Sequence, residues 1–389
     1  MPHSRKYFAV FLLVLWMTAS PSLFFSQVFH HPRPSDKLIE RWDWALQEAR
    51  KLELKDGLWI GYSIKRWMGE NSYIYSTSKY TMSGHYPFPS YLRGKTLGEI
   101  IYGKDFDVVL SDEEQVHIAA KRALEELRKK RKDKRKVLKN VAVLFRYRSS
   151  SKKNPEALRL SNLSLPFDSE GLPVFWLDHA EDGESIHLLG SIYKGKIPEK
   201  LKKKTLSTIG FHQKSEIVVP FLEKVLKSKE PDALRGRAAS ELEDHSTEQS
   251  LKLLRQAAKN DRSFYVRKNA VYALEDMEHP GSTDALIDTA RNSDDMEIRK
   301  KALYGLAEKA SKKAEEALED IAYEDEDTEV QKRAVYALED LPDGRGIPYL
   351  IKIAKVHPKL VIRKKAIYCL GDSGDQRALK ALIDILQKK

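Results

Sequence analysis

An eleven-residue phrase recurs along the second half of this chain at a fixed step. It reads VRKNAVYALED from Val266, IRKKALYGLAE from Ile298, VQKRAVYALED from Val330 and IRKKAIYCLGD from Ile362, each start 32 residues after the last, with a looser copy, LRGRAASELED, at Leu234. In the Val266 copy, Val266, Ala270, Val271, Ala273 and Leu274 stand at i, i+4, i+5, i+7 and i+8, one face of an α-helix. A second striped segment follows, STDALIDTARN, with Ala285, Leu286 and Ala290 on its apolar face. Each unit is read as helix, short turn, helix. Such a pair cannot bury both stripes alone, so the repeat demands a stack of pairs, each covering its neighbour, rather than one compact core.

Two ladders set the extent of the stack. One reads Leu177, Ile209, Leu242, Leu274, Leu306, Leu338 and Leu370; the other reads Leu189, Phe221, Leu254, Leu286, Leu318, Leu350 and Leu382. Together they predict about seven units over 169–389. Ala238, Ala270, Ala302, Ala334 and Ala366 recur at the fifth phrase position, where a small side chain lets helices approach closely.

The phrase resembles the short HEAT-like repeat of phycobilisome-lyase-type proteins, whose unit runs roughly V-R-x-x-A-A-x-A-L-G before a loop and a second helix with A-L. Val266, Arg267, Ala270, Ala273 and Leu274 carry the match, as do Ile362, Arg363, Ala366, Leu370 and Gly371. The chain departs from it where Gln331 replaces the arginine and where Glu or Ala replaces the glycine in most units. The resemblance, to exported bacterial proteins of this kind, implies an αα-superhelix that serves as a protein-interaction scaffold. Some relatives are bilin lyases. A lyase-like, cofactor-handling role is therefore the alternative by family analogy, although no lyase-specific residue is recognisable and fold alone does not transfer activity.

Residues 30–168 lack the 32-residue step and read as a small α+β domain. A helix is expected over 35–52, capped by Ser35, and another over 111–132; strands are expected at 58–64, 71–78, 141–147 and 157–165, the last two joined as a hairpin. The expected fold class is thus α+β: this domain followed by an all-α helical-repeat solenoid. Residues 1–26 read as a signal peptide: MPHSRKY is basic, FAVFLLVLWM is apolar, and small residues follow. The reading places the protein outside the cytoplasm, periplasmic or secreted, with an uncleaved membrane anchor as the alternative.

The chain carries no H-E-x-x-H, G-x-S-x-G, Walker loop or paired C-x-x-C, and Cys369 is its one cysteine. No catalytic residue, metal ligand or cofactor is expected. An enzyme with an unrecognised site in 30–168 stays open beside the favoured reading, a non-enzymatic scaffold. Two surfaces are candidates for binding. Arg128, Lys129, Lys130 and Arg131 begin RKKRKDKRK, eight cations in nine residues, in a chain of net charge +11. Tyr272, Tyr304, Tyr336 and Tyr368 repeat along the first helices, each preceded four residues back by Lys268, Lys300, Lys332 or Lys364. The cations suit a protein partner with acidic character, an anionic glycan or a membrane surface; outside the cytoplasm nucleic acid is not expected. The competing reading of the Tyr–Lys ladder is packing, each ring lying on a neighbouring unit's cation stem.

Overall fold

The computed structural model describes residues 27–70, 72–76, 81–85, 95–103 and 136–387. The leader at 1–26, the helix expected at 111–132 and the basic residues Arg128, Lys129, Lys130 and Arg131 lie outside the described residues. The chain divides into two compact units, Met1–Glu184 and Ser185–Lys389.

The first unit is built on a seven-stranded mixed sheet, in the order β1-β7-β2-β5-β6-β3-β4. The strands are β1 (Val28–His30), β2 (Leu58–Gly69), β3 (Ser72–Ser76), β4 (Thr81–His85), β5 (Lys136–Tyr147), β6 (Ala157–Asn162) and β7 (Val174–His179). Strand β7 runs parallel to both β1 and β2, and the remaining pairings are antiparallel. Helix α1 (Leu38–Lys51) and the short helix α2 (Leu97–Tyr102) supply further apolar surface. Leu97 and Ile101 of α2 share a core with Trp59, Leu144, Val174 and Trp176. On the alternate residues, Trp42 of α1 meets Phe145 edge-on with ring centroids 5.2 Å apart. Both sheet faces are covered, which is why 58–64 is buried without a break. Gly61 is part of this fit: a Cβ there would stand 2.7 Å from Leu144 and 3.1 Å from Trp176. The hairpin expected around 148–156 joins β5 to β6 in antiparallel register. Helix α1 starts at Leu38 rather than behind Ser35; the Glu40 carboxylate accepts from the Lys37 N–H instead.

One sequence expectation is corrected here. Leu177, the first rung of the first-helix ladder, lies in β7 and not in a helix. VFWLDH is buried from Val174 to Leu177, with aromatic and β-branched residues meeting both faces of the sheet. A central parallel strand is apolar on every residue, so it satisfies a leucine ladder without having a helical period.

The second unit is helical throughout among its described residues. Its helices are α3 (Asp182–Lys194), α4 (Glu199–Gly210), α5 (Ser215–Leu226), α6 (Asp232–Ser240), α7 (Glu248–Asn260), α8 (Phe264–Asp276), α9 (Ser282–Asn292), α10 (Met296–Lys309), α11 (Lys312–Glu324), α12 (Thr328–Glu339), α13 (Ile347–Val356), α14 (Leu360–Asp372) and α15 (Gln376–Gln387). The repeated phrase forms α6, α8, α10, α12 and α14. Leu242, Leu274, Leu306, Leu338 and Leu370 are all buried, as are Ala238, Ala270, Ala302, Ala334 and Ala366 beneath them.

The close helical hairpins are framed one helix earlier than the phrase-first reading implies. Helices α10, α12 and α14 each pack most extensively on the helix before them, and α8, α10, α12 and α14 follow turns of constant length at 261–263, 293–295, 325–327 and 357–359. The links on the other side vary from two residues at 310–311 to seven at 340–346. The constancy has a chemical cause. Asp295 and Asp327 cap the helices that follow, accepting from Glu297 and Ile298 N–H and from Glu329 and Val330 N–H. The phrase arginine of one hairpin then reaches the turn of the next: Arg235 pairs with Asp261, Arg267 with Asp295 at 2.5 Å, and Arg299 with Asp325. At the following rung both partners change together. Gln331 stands in the arginine position and donates to Tyr323 O at 3.1 Å, and His357 replaces the aspartate, buried, with Nε2 3.0 Å from Ala322 O.

Candidate functional site

Helices α10, α12 and α14 lie side by side, and their exposed edges enclose an open groove of about 750 Å³. Its lining joins Tyr304, Tyr336 and Tyr368 to six cations, Lys300, Lys301, Lys332, Arg333, Lys364 and Lys365, against two carboxylates, Glu297 and Glu329. The 32-residue step places these side chains: one helix position in each unit delivers a tyrosine, another delivers a lysine, and the next residue delivers a second cation.

The two sets of cations behave differently. Lys300 is held by Glu297 of its own helix at 2.9 Å, and Lys332 by Glu329 at 2.7 Å. These are exposed i,i+3 pairs of small energy, about 0.2–0.5 kcal/mol each. Lys364 has Val361 where the others have glutamate, and it forms no ion pair among the described residues. Lys268, one unit before the groove, lies 5.4 Å over the ring of Tyr265, which itself fills the notch left by Gly236.

The second set stacks. Lys301 lies over Tyr272 at 5.6 Å and donates to its hydroxyl at 3.3 Å. Arg333 lies over Tyr304 at 3.2 Å and also faces Tyr336 at 5.9 Å. Lys365 lies over Tyr336 at 4.3 Å, donates to its hydroxyl, and is 5.2 Å from Tyr368. The inter-unit stacking anticipated for the ladder is therefore present, and its cations are Lys301, Arg333 and Lys365 rather than Lys300, Lys332 and Lys364. Packing does not remove the surface: Tyr304 is 44% exposed and Tyr368 is 60% exposed.

Arg333 stands apart from every other cation in the groove. Its Nε and Nη2 are buried and make no hydrogen bond. Burial lowers the guanidinium's pKa, and Asp340, Tyr336 and Glu297 only partly compensate. The guanidinium lies on the Tyr304 ring with those two donors enclosed in the wall of the groove. The sequence shows Arg333 as one of a row of cations; that its donors lack partners follows only from the stacking of α10, α12 and α14.

Elsewhere the polar residues hold the fold. A bulge in β7 carries Asp178 in left-handed backbone geometry near His30, His31 and Arg41, and burial raises its carboxyl pKa. The His30 and His31 rings meet the carbonyls of Ile101 and Arg33. Cys369 is buried, and burial followed by a hydrogen bond with Glu339 pushes its thiol pKa up, so it stays protonated. No group of three or more His, Cys, Asp or Glu among the described residues is placed to hold a metal ion. None of the described helices is long and apolar enough to cross a membrane.

The HEAT-repeat family matches residues 219–307 and 315–389. Among solved structures, the chain is similar to human deoxyhypusine hydroxylase in complex with glycerol, at 16% identity over 53% of this chain and 79% of that one, with a TM-score of 0.24. It is similar to the Escherichia coli protein YIBA, at 18% identity over 50% and 71%, with a TM-score of 0.30. It is also similar to the complex of CpcE and CpcF of phycocyanin lyase from Nostoc, at 20% identity over 51% and 79%, with a TM-score of 0.30. Comparison with curated proteins gives no match.

Proposed function

We propose that this HEAT-repeat protein is a non-enzymatic scaffold that holds a partner protein by laying an acidic segment of it along the groove of α10, α12 and α14. The carrying observation is the charge of the groove, six cations against two carboxylates beside the exposed rings of Tyr304 and Tyr368. Acidic side chains brought by a partner balance that excess. The loose Glu297–Lys300 and Glu329–Lys332 pairs open at small cost to meet further acids. Each contact is weak; several on one tethered segment add through effective concentration. HEAT repeats generally mediate protein–protein interaction, which suits this reading. We place the protein outside the cytoplasm on the strength of the basic, apolar and small-residue order of its first 26 residues. N-terminal sequencing of the native protein tests that placement, and an intact Met1 on a cytosolic chain would overturn it.

The binding test is calorimetric titration of the full chain with poly-L-glutamate at low salt. Binding should weaken as salt rises and should be lost in an Arg333→Gln, Lys364→Gln, Lys365→Gln variant of unchanged melting temperature. Absence of binding to the wild type overturns the reading. Heparin or anionic vesicles bound in place of poly-L-glutamate would assign the groove to a glycan or a membrane surface instead.

A further inference from the structure

The groove changes in kind at its α14 end. The residue just before the repeated phrase is Glu297 on α10 and Glu329 on α12, each tied to the lysine one turn on. On α14 the same position is Val361. Val361 lines the groove and is 42% exposed, and Leu360 beside it is 55% exposed. Leu360, Lys364 and Tyr368 follow one another at four-residue steps, so with Val361 they share one edge of the helix. Lys364 is exposed and forms no ion pair among the described residues. Tyr368 differs from the other rings as well. Tyr272, Tyr304 and Tyr336 each lie under a cation of the following unit, and among the described residues no following unit covers Tyr368. Its exposure is 60%, against 41% for Tyr272 and 44% for Tyr304.

Resting on the scaffold reading, we infer that the acidic segment carries an aliphatic or aromatic side chain beside one of its carboxylates, and that this pair seats at α14. The carboxylate meets Lys364, which breaks no ion pair among the described residues to receive it. The apolar side chain covers Leu360, Val361 and Tyr368, and so removes from water an apolar strip that the free protein leaves wet. Interfaces concentrate their energy in this way, on an apolar anchor with charge at its rim. The α10 and α12 positions offer a poorer seat. There a carboxylate occupies the place of Val361, so an arriving acid meets like charge and must open Glu297–Lys300 or Glu329–Lys332. Helix α14 therefore fixes where the segment sits, and α10 and α12 add charge along its length.

Two labelled peptides of equal length and charge, added to the full-length protein, test this by fluorescence anisotropy at low salt. One carries a single leucine between two runs of glutamate; the other has serine in its place. The leucine peptide should bind roughly tenfold more tightly, the gain from covering part of a leucine side chain. Leu360→Ser combined with Val361→Ser should erase that advantage while leaving the serine peptide's affinity unchanged. If this double variant lowers the melting temperature, Val361→Glu, which copies α10 and α12, takes its place and should also erase the advantage. Equal binding of the two peptides to the wild type, still sensitive to salt, overturns the apolar anchor and leaves the scaffold reading standing. An advantage that survives the substitutions overturns its placement at α14. No binding by either peptide removes both readings.

Discussion

Leu306→Ala tests the architecture most directly. Leu306 is fully buried in α10, on the face it shares with Ile298, Ala302 and Leu303. The truncation removes three carbons, worth about 2.4 kcal/mol at about 0.8 kcal/mol each. The remaining void adds about 24 cal/mol for each Å³ that the helices fail to close. Constraint from α9 is tight, since a Cβ at neighbouring Gly305 would already sit 3.3 Å from Leu286. Little collapse is available, so the expected loss is about 3–4 kcal/mol. In a stack of repeats the loss is local: units on either side of α10 should unfold separately, and the urea transition should broaden with a smaller slope. Urea unfolding followed by circular dichroism, with hydrogen exchange to locate the opening, reads both effects. Leu386→Ala is the control, because Leu386 is 78% exposed on α15 and should change stability by less than about 0.5 kcal/mol. A loss below about 1 kcal/mol at Leu306, or equal losses at the two sites, would refute the stacked-hairpin reasoning.

Further outcomes follow from the turns. Arg299→Gln should cost about 3–5 kcal/mol by leaving the Asp325 carboxylate, 8% exposed, without its cation; adding Asp325→His, which installs the pair found naturally as Gln331 and His357, should restore at least part of that, and a double-mutant cycle with no coupling would discard the rung-by-rung account. Gly346→Ala should be among the most damaging changes in the array, because the new Cβ would stand 1.7 Å from the Leu338 carbonyl oxygen; a melting temperature equal to wild type would show that the 340–346 link moves freely. Burial, with Asp276, Asp244 and Glu241 nearby, pushes the Glu243 carboxyl up to about 7 from an ordinary 4.5. Between those values the native state holds a proton that the unfolded chain releases, so stability falls as pH rises from 5 to 8. Glu243→Gln should flatten that fall, and identical urea midpoint changes in the two proteins would count against it.

Sequence alone determined the helical array. A 32-residue step with Val, Ala and Leu at helical spacing permits no other way to bury its stripes, and helix formation depends on residues within a few positions of each other. The strands at 58–64, 141–147 and 157–165 were legible for the same local reason, as was the tyrosine row. Tertiary structure decided what depends on distant partners. Leu177 became a strand because β1 and β2 lie on either side of it, a pairing across more than a hundred residues that no local period records. The hairpin frame shifted by one helix because the turns of constant length, reached by arginines from the preceding hairpin, lie before the phrase. The pairing of the groove's side chains was settled at the same level. Lysines that look equivalent along the chain divide into those tied to their own helix, those stacked on the preceding unit's tyrosine, and Lys364 with neither. Arg333 is left with unpaired donors only because three helices close around it, and a side chain's unmet hydrogen bonds are a property of its surroundings, not of its place in a repeat.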